Sequence, residues 1–226
     1  MPTRSEVEVI HRPKVEACHI PFNLMVARPV GRAEIARNPK AQESMHKEWS
    51  RLIAQGVWDV STVRERSSVA AEARNSNKNV QFGRLHGICV EKNSELEDGH
   101  PSRKFKGRVV FLGNQVLNQN YEAAVFQDQG NAHATMEAAR VADCVGCLPG
   151  HSVQIADAVQ AYVQAELGGD DCWVHLPHEA RSKEVDWTRF KDPVVRLKKA
   201  LYGHPDSGTF WEKHCDAVVR KHGLVP

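Results

Sequence analysis

Two strand-like runs separated by a reversal signal constrain this chain more than any other feature. Residues 80–90 and 105–112 are rich in β-branched and apolar side chains, and the stretch between them, 93–102, holds Asp98-Gly99 and Pro101. Gly supplies positive φ and Pro a preset φ, which is what a tight reversal needs. Runs that double back in this way predict an antiparallel hairpin. The return arm opens with Arg103, Lys104, Lys106 and Arg108. Basic side chains on a sheet edge guard against edge-to-edge aggregation, and the same side chains grip phosphates. Taken alone, the cluster favours edge protection.

Helical and strand-like segments flank the hairpin. Asn38-Pro39 marks a helix start, with an N-cap ahead of Pro in the first turn. Met45, Trp49, Leu52 and Ile53 then share one helical face, and Gly56 supplies the stop. Residues 57–63 alternate apolar and polar, as a half-buried strand does, and 64–79 read as a loop or surface helix. Residues 113–131 are a polar loop. A helix with Met136, Val141, Cys144, Val145 and Leu148 on one side follows, ended by Pro149-Gly150. Residues 172–176 and 194–197 read as short strands, 178–192 as a surface excursion and 202–208 as a turn, whose His204 is a site residue or, as is usual for a turn histidine, faces solvent. The last helix carries Phe210, His214, Ala217 and Val218 on one face, with Asp206 or Ser207 as its cap and Gly223 as its end. No internal repeat is present, and the irregular alternation predicts an α+β fold rather than a βαβ array. Residues 1–37, with Pro13, Pro21, Pro29 and Gly31 and no sustained period, read as an extended or partly disordered lead-in to a domain spanning 38–226.

A hydrophobic content of 41% with 26% charged residues is that of an ordinary globular chain. The net charge of +2 provides no global basic field, so a nucleic-acid surface would have to be local. No apolar run reaches membrane-spanning length, and the polar N-terminus does not read as a signal peptide. The six cysteines (18, 89, 144, 147, 172 and 215) show no disulfide-framework spacing, which predicts free thiols and an intracellular, reducing compartment. Cys144-Val-Gly-Cys147 with His151 falls short of the four ligands of a structural zinc site, and inside a helical pattern the cysteines act as small apolar residues.

Residues 153–156 read as a short apolar strand running into Asp157 and then into an alanine-rich helical turn that carries Tyr162. On the pattern alone, an Asp between strand and helix is more often an N-cap than a metal ligand.

Several segments, in order along the chain, resemble the reverse transcriptase of copia-type retrotransposons. Arg196-Leu-Lys-Lys-Ala-Leu-Tyr-Gly203 followed by Phe210-Trp211 is similar to that family's R-L-K-K-A-L-Y-G…W signature. Asp157 to Leu167 resembles the D-V-x-x-A-F-L-x-x-E-L block of the palm, and Lys104-Phe-Lys-Gly-Arg-Val-Val110 the Y-K-A-R-L-V fingers strand. Cys172-Trp-Val-His-Leu-Pro177 is similar to V-Y-M-x-Q-P, and Lys47-Glu-Trp with Gly56-Val-Trp58 to the entry helix. The likeness covers roughly 40–226.

The resemblance implies reverse-transcriptase-like fingers and a partial palm, built as an incomplete antiparallel sheet with packed helices. It implies nucleotidyl transfer onto a primer 3′ end, with two Mg²⁺ ions as cofactor. Asp157 would be the catalytic carboxylate and a metal ligand, and the Ala158 carbonyl a further oxygen donor. Tyr162 would be the steric gate against the sugar. Lys106 and Arg108 would neutralise triphosphate charge, and Tyr202 and Gly203 would lie against nucleotide and template. Implied partners are an RNA/DNA primer–template and dNTPs, the remaining Pol segments (RNase H, integrase), and no membrane. Two departures qualify this. Gly203-His-Pro-Asp-Ser-Gly208 stands where the family has G-L-K-Q-A-P, and Pro205 cannot supply the missing cation. The Y-V-D-D hairpin that carries the other carboxylates is absent from these 226 residues, and Asp170-Asp171 lies in the wrong place. The expectation is therefore a fragment truncated before Y-x-D-D and inactive by itself. The alternatives are a non-catalytic nucleic-acid-binding remnant and an inert product of a decayed transposon.

Overall fold

The computed structural model describes residues 26–126, 134–153, 155 and 157–223. In chain order these form β1 (Ala27–Val30), α1 (Arg32–Arg37), α2 (Pro39–Ala54), β2 (Trp58–Glu65), α3 (Arg66–Asn75), β3 (Val80–Lys92) and β4 (Lys104–Phe111). They continue with β5 (Leu117–Asn118), α4 (Met136–Gly146), α5 (Ala161–Gln164), β6 (Asp171–His175), β7 (Pro193–Leu197) and α6 (Ser207–Lys221). The fold is α+β, an open seven-stranded sheet with packed helices.

β3 organises the sheet. Its second half pairs antiparallel with β4, from Leu85↔Phe111 to Lys92↔Lys104, which is the hairpin expected from the sequence. The same half also takes β1, with Pro29 opposite Val90. Its first half pairs with β5 and, in parallel, with β6 from Val80↔Asp171 to Arg84↔His175. The order runs β1-β3-β6-β7-β2. The sheet is thus mixed, not the antiparallel sheet expected. The long connection from β3 to β6 lets the chain return in the same direction, which a hairpin cannot do.

Two further expectations are corrected here. Residues 27–37, assigned to the lead-in, are a strand and a helix, because β3 supplies an edge on which a Pro-containing segment can pair. The rest of the lead-in, 1–25, lies outside the described residues. Helix α4 exists as expected, but its apolar side stays exposed, although Gly146 meets the Val153 side chain. Met136, Val141, Val145, Leu148, Cys144 and Cys147 are all exposed, so the two cysteines do not act as core residues.

α2 begins as its sequence demands: the Asn38 side chain accepts from the N–H groups of Lys40 (3.0 Å) and Ala41 (3.3 Å), with Pro39 at the first position. Trp49 and Leu52 enter the main core beside Trp58, Leu85, Phe111, Val174 and Leu197, whereas Ile53, expected on that face, is exposed. Trp49 meets Trp58 edge-on at 6.1 Å. On the opposite face, α3 packs Val69, Ala70 and Ala73 against Val80, Phe82, Trp173 and Val194. β6 and β7 are therefore buried on both faces, which is why they read as apolar runs rather than as alternation.

α2 crosses β4 at Gly107, where an added Cβ would stand 2.6 Å from the Ser44 carbonyl oxygen and 3.0 Å from its carbon. Those are backbone atoms and cannot swing aside. Gly107→Ala is expected to cost about 2 kcal/mol through overpacking, read as a lower urea midpoint. A midpoint equal to that of the parent would mean that the helix slides freely on the strand.

Arg103 has a different task from its neighbours on the return arm. It donates to Glu91 at 2.7 Å and to the Leu96 carbonyl at 2.9 Å, and it pairs with Asp98. Glu91 is buried and also takes Arg28 at 2.6 Å. The two guanidinium groups, Arg103 first, hold the Glu91 carboxylate below its usual range against the cost of burial. Arg103 thus locks the hairpin, leaving Lys104, Lys106 and Arg108 facing solvent. Among the described residues, no helix is long and apolar enough to cross a membrane.

Candidate functional site

β-strand alternation places Lys104, Lys106 and Arg108 on one exposed face of β4. Across the ladder stand Lys92, Val90 and Ile88, so the hairpin register adds a fourth cation to that face. The Lys106 ammonium is held below its ordinary value, first by partial burial and then by the positive charges of Lys92, Arg108 and Arg51, with Glu48 opposing. Such a group gains from any ligand that brings negative charge.

Arg51 connects this face to the segment bearing Asp157 and Tyr162. It lies near the C-terminal end of α2, where it pairs with Glu48. With its amide oxygen turned toward Arg51, the Gln160 side chain accepts from Nε at 2.7 Å and Nη2 at 3.0 Å. Gln160 itself takes φ +54, a left-handed conformation that turns the chain into α5. In α5, Val163 is buried in the main core, and Tyr162 lies half-buried with its ring 6.0 Å from that of Tyr202.

Tyr202 and Gly203 are in turn fastened to the end of β4. The Phe111 N–H donates to the Tyr202 carbonyl at 2.8 Å. Gly203 has φ +90, and a Cβ there would run into the Phe111 carbonyl oxygen. Below that turn α5 is tied in by backbone bonds, Leu167 N–H to the Lys198 carbonyl (2.8 Å) and Ala200 N–H to the Ala165 carbonyl (3.0 Å). Lys106, Arg108, Tyr162, Tyr202 and Gly203 therefore belong to one connected region. Arg51, Gln160 and Lys92 complete it, and sequence reading missed all three. The hairpin register would have revealed Lys92, but nothing in the sequence marks Gln160 or Arg51.

Asp157 and Ala158 do not occupy the place expected of them. Of the strand expected at 153–156, positions 154 and 156 lie outside the described residues, and Val153 and Ile155 belong to no strand and are exposed, the latter 95%. Apolar side chains make a strand only where a neighbouring strand takes the backbone hydrogen bonds, and no such partner stands here among the described residues. Asp157 and Ala158 are both exposed. Mg²⁺ calls for several hard oxygen donors in near-octahedral order. Among the described residues, no group of three or more His, Cys, Asp or Glu side chains stands together. Asp157 thus brings one carboxylate and the neighbouring Ala158 carbonyl, a donor set that does not complete a divalent-cation site.

His204, expected in solvent, is buried between Phe111 (ring centres 4.8 Å apart) and Phe126 (5.5 Å). Burial lowers its imidazole to about 4. The residue is a core histidine of the turn that presents Tyr202 and Gly203.

Compared with protein families, with curated proteins and with solved structures, the chain matches none.

Proposed function

We propose that this chain is a fingers and partial-palm fragment of a copia-type reverse transcriptase, and that these residues bind primer–template and triphosphate without performing the transfer. One observation carries this reading. Residues drawn from separate blocks of the resemblance (Lys106 and Arg108, Tyr162, Tyr202 and Gly203) fold into one connected region, although the chain between 108 and 202 is long and its path irregular.

Each group has a task in that reading. Lys106, Arg108 and Lys92 neutralise phosphate oxygens, and Arg51 adds charge from the helix side. The ring of Tyr202, 55% exposed, offers a face for a base or sugar, and Tyr162 packs behind it. Mg²⁺, when bound in a complete polymerase, supplies the charge that stabilises attack by the primer hydroxyl. The described donors do not hold it, so no transfer step is assigned to this chain. Asp157 is exposed and belongs to no group of three or more His, Cys, Asp or Glu side chains among the described residues, which favours binding without chemistry.

The test is a primer–template duplex titrated with the purified chain between 50 and 200 mM salt, read by fluorescence anisotropy. Affinity should fall steeply with salt, and Lys106→Ala/Arg108→Ala should weaken binding roughly tenfold and lower the log–log salt slope by about 2. Salt-independent affinity, or a double variant that binds like the parent, rejects the phosphate-binding face. Primer extension with Mg²⁺ and dNTPs that is lost in Asp157→Asn would instead place the chemistry in this chain.

A further inference from the structure

A cavity of about 420 Å³ opens where the first residues of β3, the segment after β5, the Gly169-Asp170 turn and the start of α6 meet. It shares no lining residue with the cationic face described above. Glu122, Asp170 and Asp206 bring three carboxylates to its wall, Phe126 and Phe210 bring two aromatic rings, and no Lys, Arg or His is among its described lining residues. In a chain with more basic than acidic residues, a concave surface of one sign is not a random sample of the exterior.

Gln81 is the second, independent observation. It is 7% exposed and lines this cavity. Its neighbours Val80 and Phe82 pack into the α3 cluster, so strand alternation turns the Gln81 side chain to the opposite face, toward the cavity. Its backbone is taken up by β5 and β6, and its side-chain amide makes no hydrogen bond among the described residues. Its amide atoms are not among the fully buried unpaired side-chain atoms, so they remain open to the cavity, where a ligand can take their hydrogen bonds. Cys172 stands opposite Gln81 in the parallel ladder. Its thiol is raised first by burial and then by the negative charges of Asp206, which lines the cavity, and Asp171.

We propose that this cavity binds a guanidinium group, presented by a free arginine-like molecule or by an arginine side chain of a partner. The guanidinium is a planar, permanently charged cation that carries five N–H donors around its edge and leaves both faces weakly hydrated. Its edge meets carboxylates in paired, charge-assisted hydrogen bonds, one inner N–H reaches the Gln81 amide oxygen, and its faces rest on Phe126 and Phe210. Phe210 already tolerates a cation, since the Lys213 ammonium lies 5.7 Å from the centre of its ring.

The full chain titrated with N-acetyl-arginine amide, by chemical-shift perturbation or calorimetry, tests this against the isosteric but neutral N-acetyl-citrulline amide. The arginine compound should bind at least tenfold tighter. Asp170→Asn, on an exposed turn, should weaken it about fivefold with the fold intact. Gln81→Met, which keeps the volume and removes the acceptor, should weaken it similarly. Lys106→Ala/Arg108→Ala should leave it unchanged, which separates this site from the phosphate-binding reading. An arginine tripeptide that binds tenfold tighter than the single amide identifies a partner chain as the source, and equal affinity identifies a free ligand. Equal binding of arginine and citrulline compounds overturns the proposal, as does arginine binding that Asp170→Asn and Gln81→Met both leave intact.

Discussion

Gly203→Ala is expected to lower the unfolding free energy by about 3–5 kcal/mol, combining left-handed strain with a backbone clash. At φ +90 an L side chain is strained in any surroundings. Here the new Cβ also meets the Phe111 carbonyl oxygen, and the Gly203 carbonyl already lies against Gly113 from the other side. The clash is between backbones, so no rotamer change relieves it. Relief requires the 202–205 turn to part from the end of β4, which breaks the Phe111 N–H to Tyr202 carbonyl bond. Two readouts should therefore move together: the urea midpoint falls, and the folded fraction binds primer–template more weakly because Tyr202 is displaced. A stability loss under about 1 kcal/mol would show that the turn is not clamped as described.

The second large effect is a loss of stability on mild acidification that disappears in His204→Phe. His204 Nδ1 accepts the Asp206 N–H at 3.2 Å, which puts the ring proton on Nε2, a buried atom without a hydrogen-bond partner. Protonation would place a charge between two phenyl rings and remove the acceptor that Asp206 N–H uses. Burial accordingly lowers the imidazole from the ordinary 6.5 to about 4. Because the unfolded chain binds the proton more readily, this contribution is fully present above pH 6.5 and is lost as pH falls toward 4. The gap corresponds to roughly 3 kcal/mol. The carboxylates held low by partners, such as Asp59 at about 2 beside Lys198 and Ser61, lose their contributions at lower pH, so the two windows separate. Urea denaturation at pH 7, 5.5 and 4.5 should give a falling series for the parent and a flatter one for His204→Phe. Parallel series would mean that His204 is not the group responsible.

The sequence was most legible where interactions are local. The Asn38 cap, the Pro39 start and the Gly56 stop delimit α2 within a residue or two, because caps and left-handed stops act over one helical turn. The hairpin was equally readable, since its two arms and its reversal lie in one continuous stretch. Residues 153–156 misled for the converse reason. Their apolar character satisfies a strand pattern, but a strand is made by its partner, and Ile155 stands in solvent. β1 failed in the opposite direction, as a segment with no period that becomes a strand because β3 lies beside it.

The candidate site divides along the same line. Residue type marks Lys106 and Arg108 as groups suited to phosphates, whereas Tyr202 and Gly203 stand out only through the resemblance to the reverse-transcriptase signature. Whether His204 faces solvent, whether Arg103 is available to a ligand or tied to Glu91, and whether Gln81 closes a cavity beside Asp170 are properties of packing between distant segments. By itself the sequence determined the hairpin, the helix boundaries and the α+β class, each written within continuous stretches of chain. Only the tertiary structure decided which cations remain exposed, where Asp157 stands and what surrounds Gln81, because burial and partner supply depend on strands that meet across nearly a hundred residues of chain.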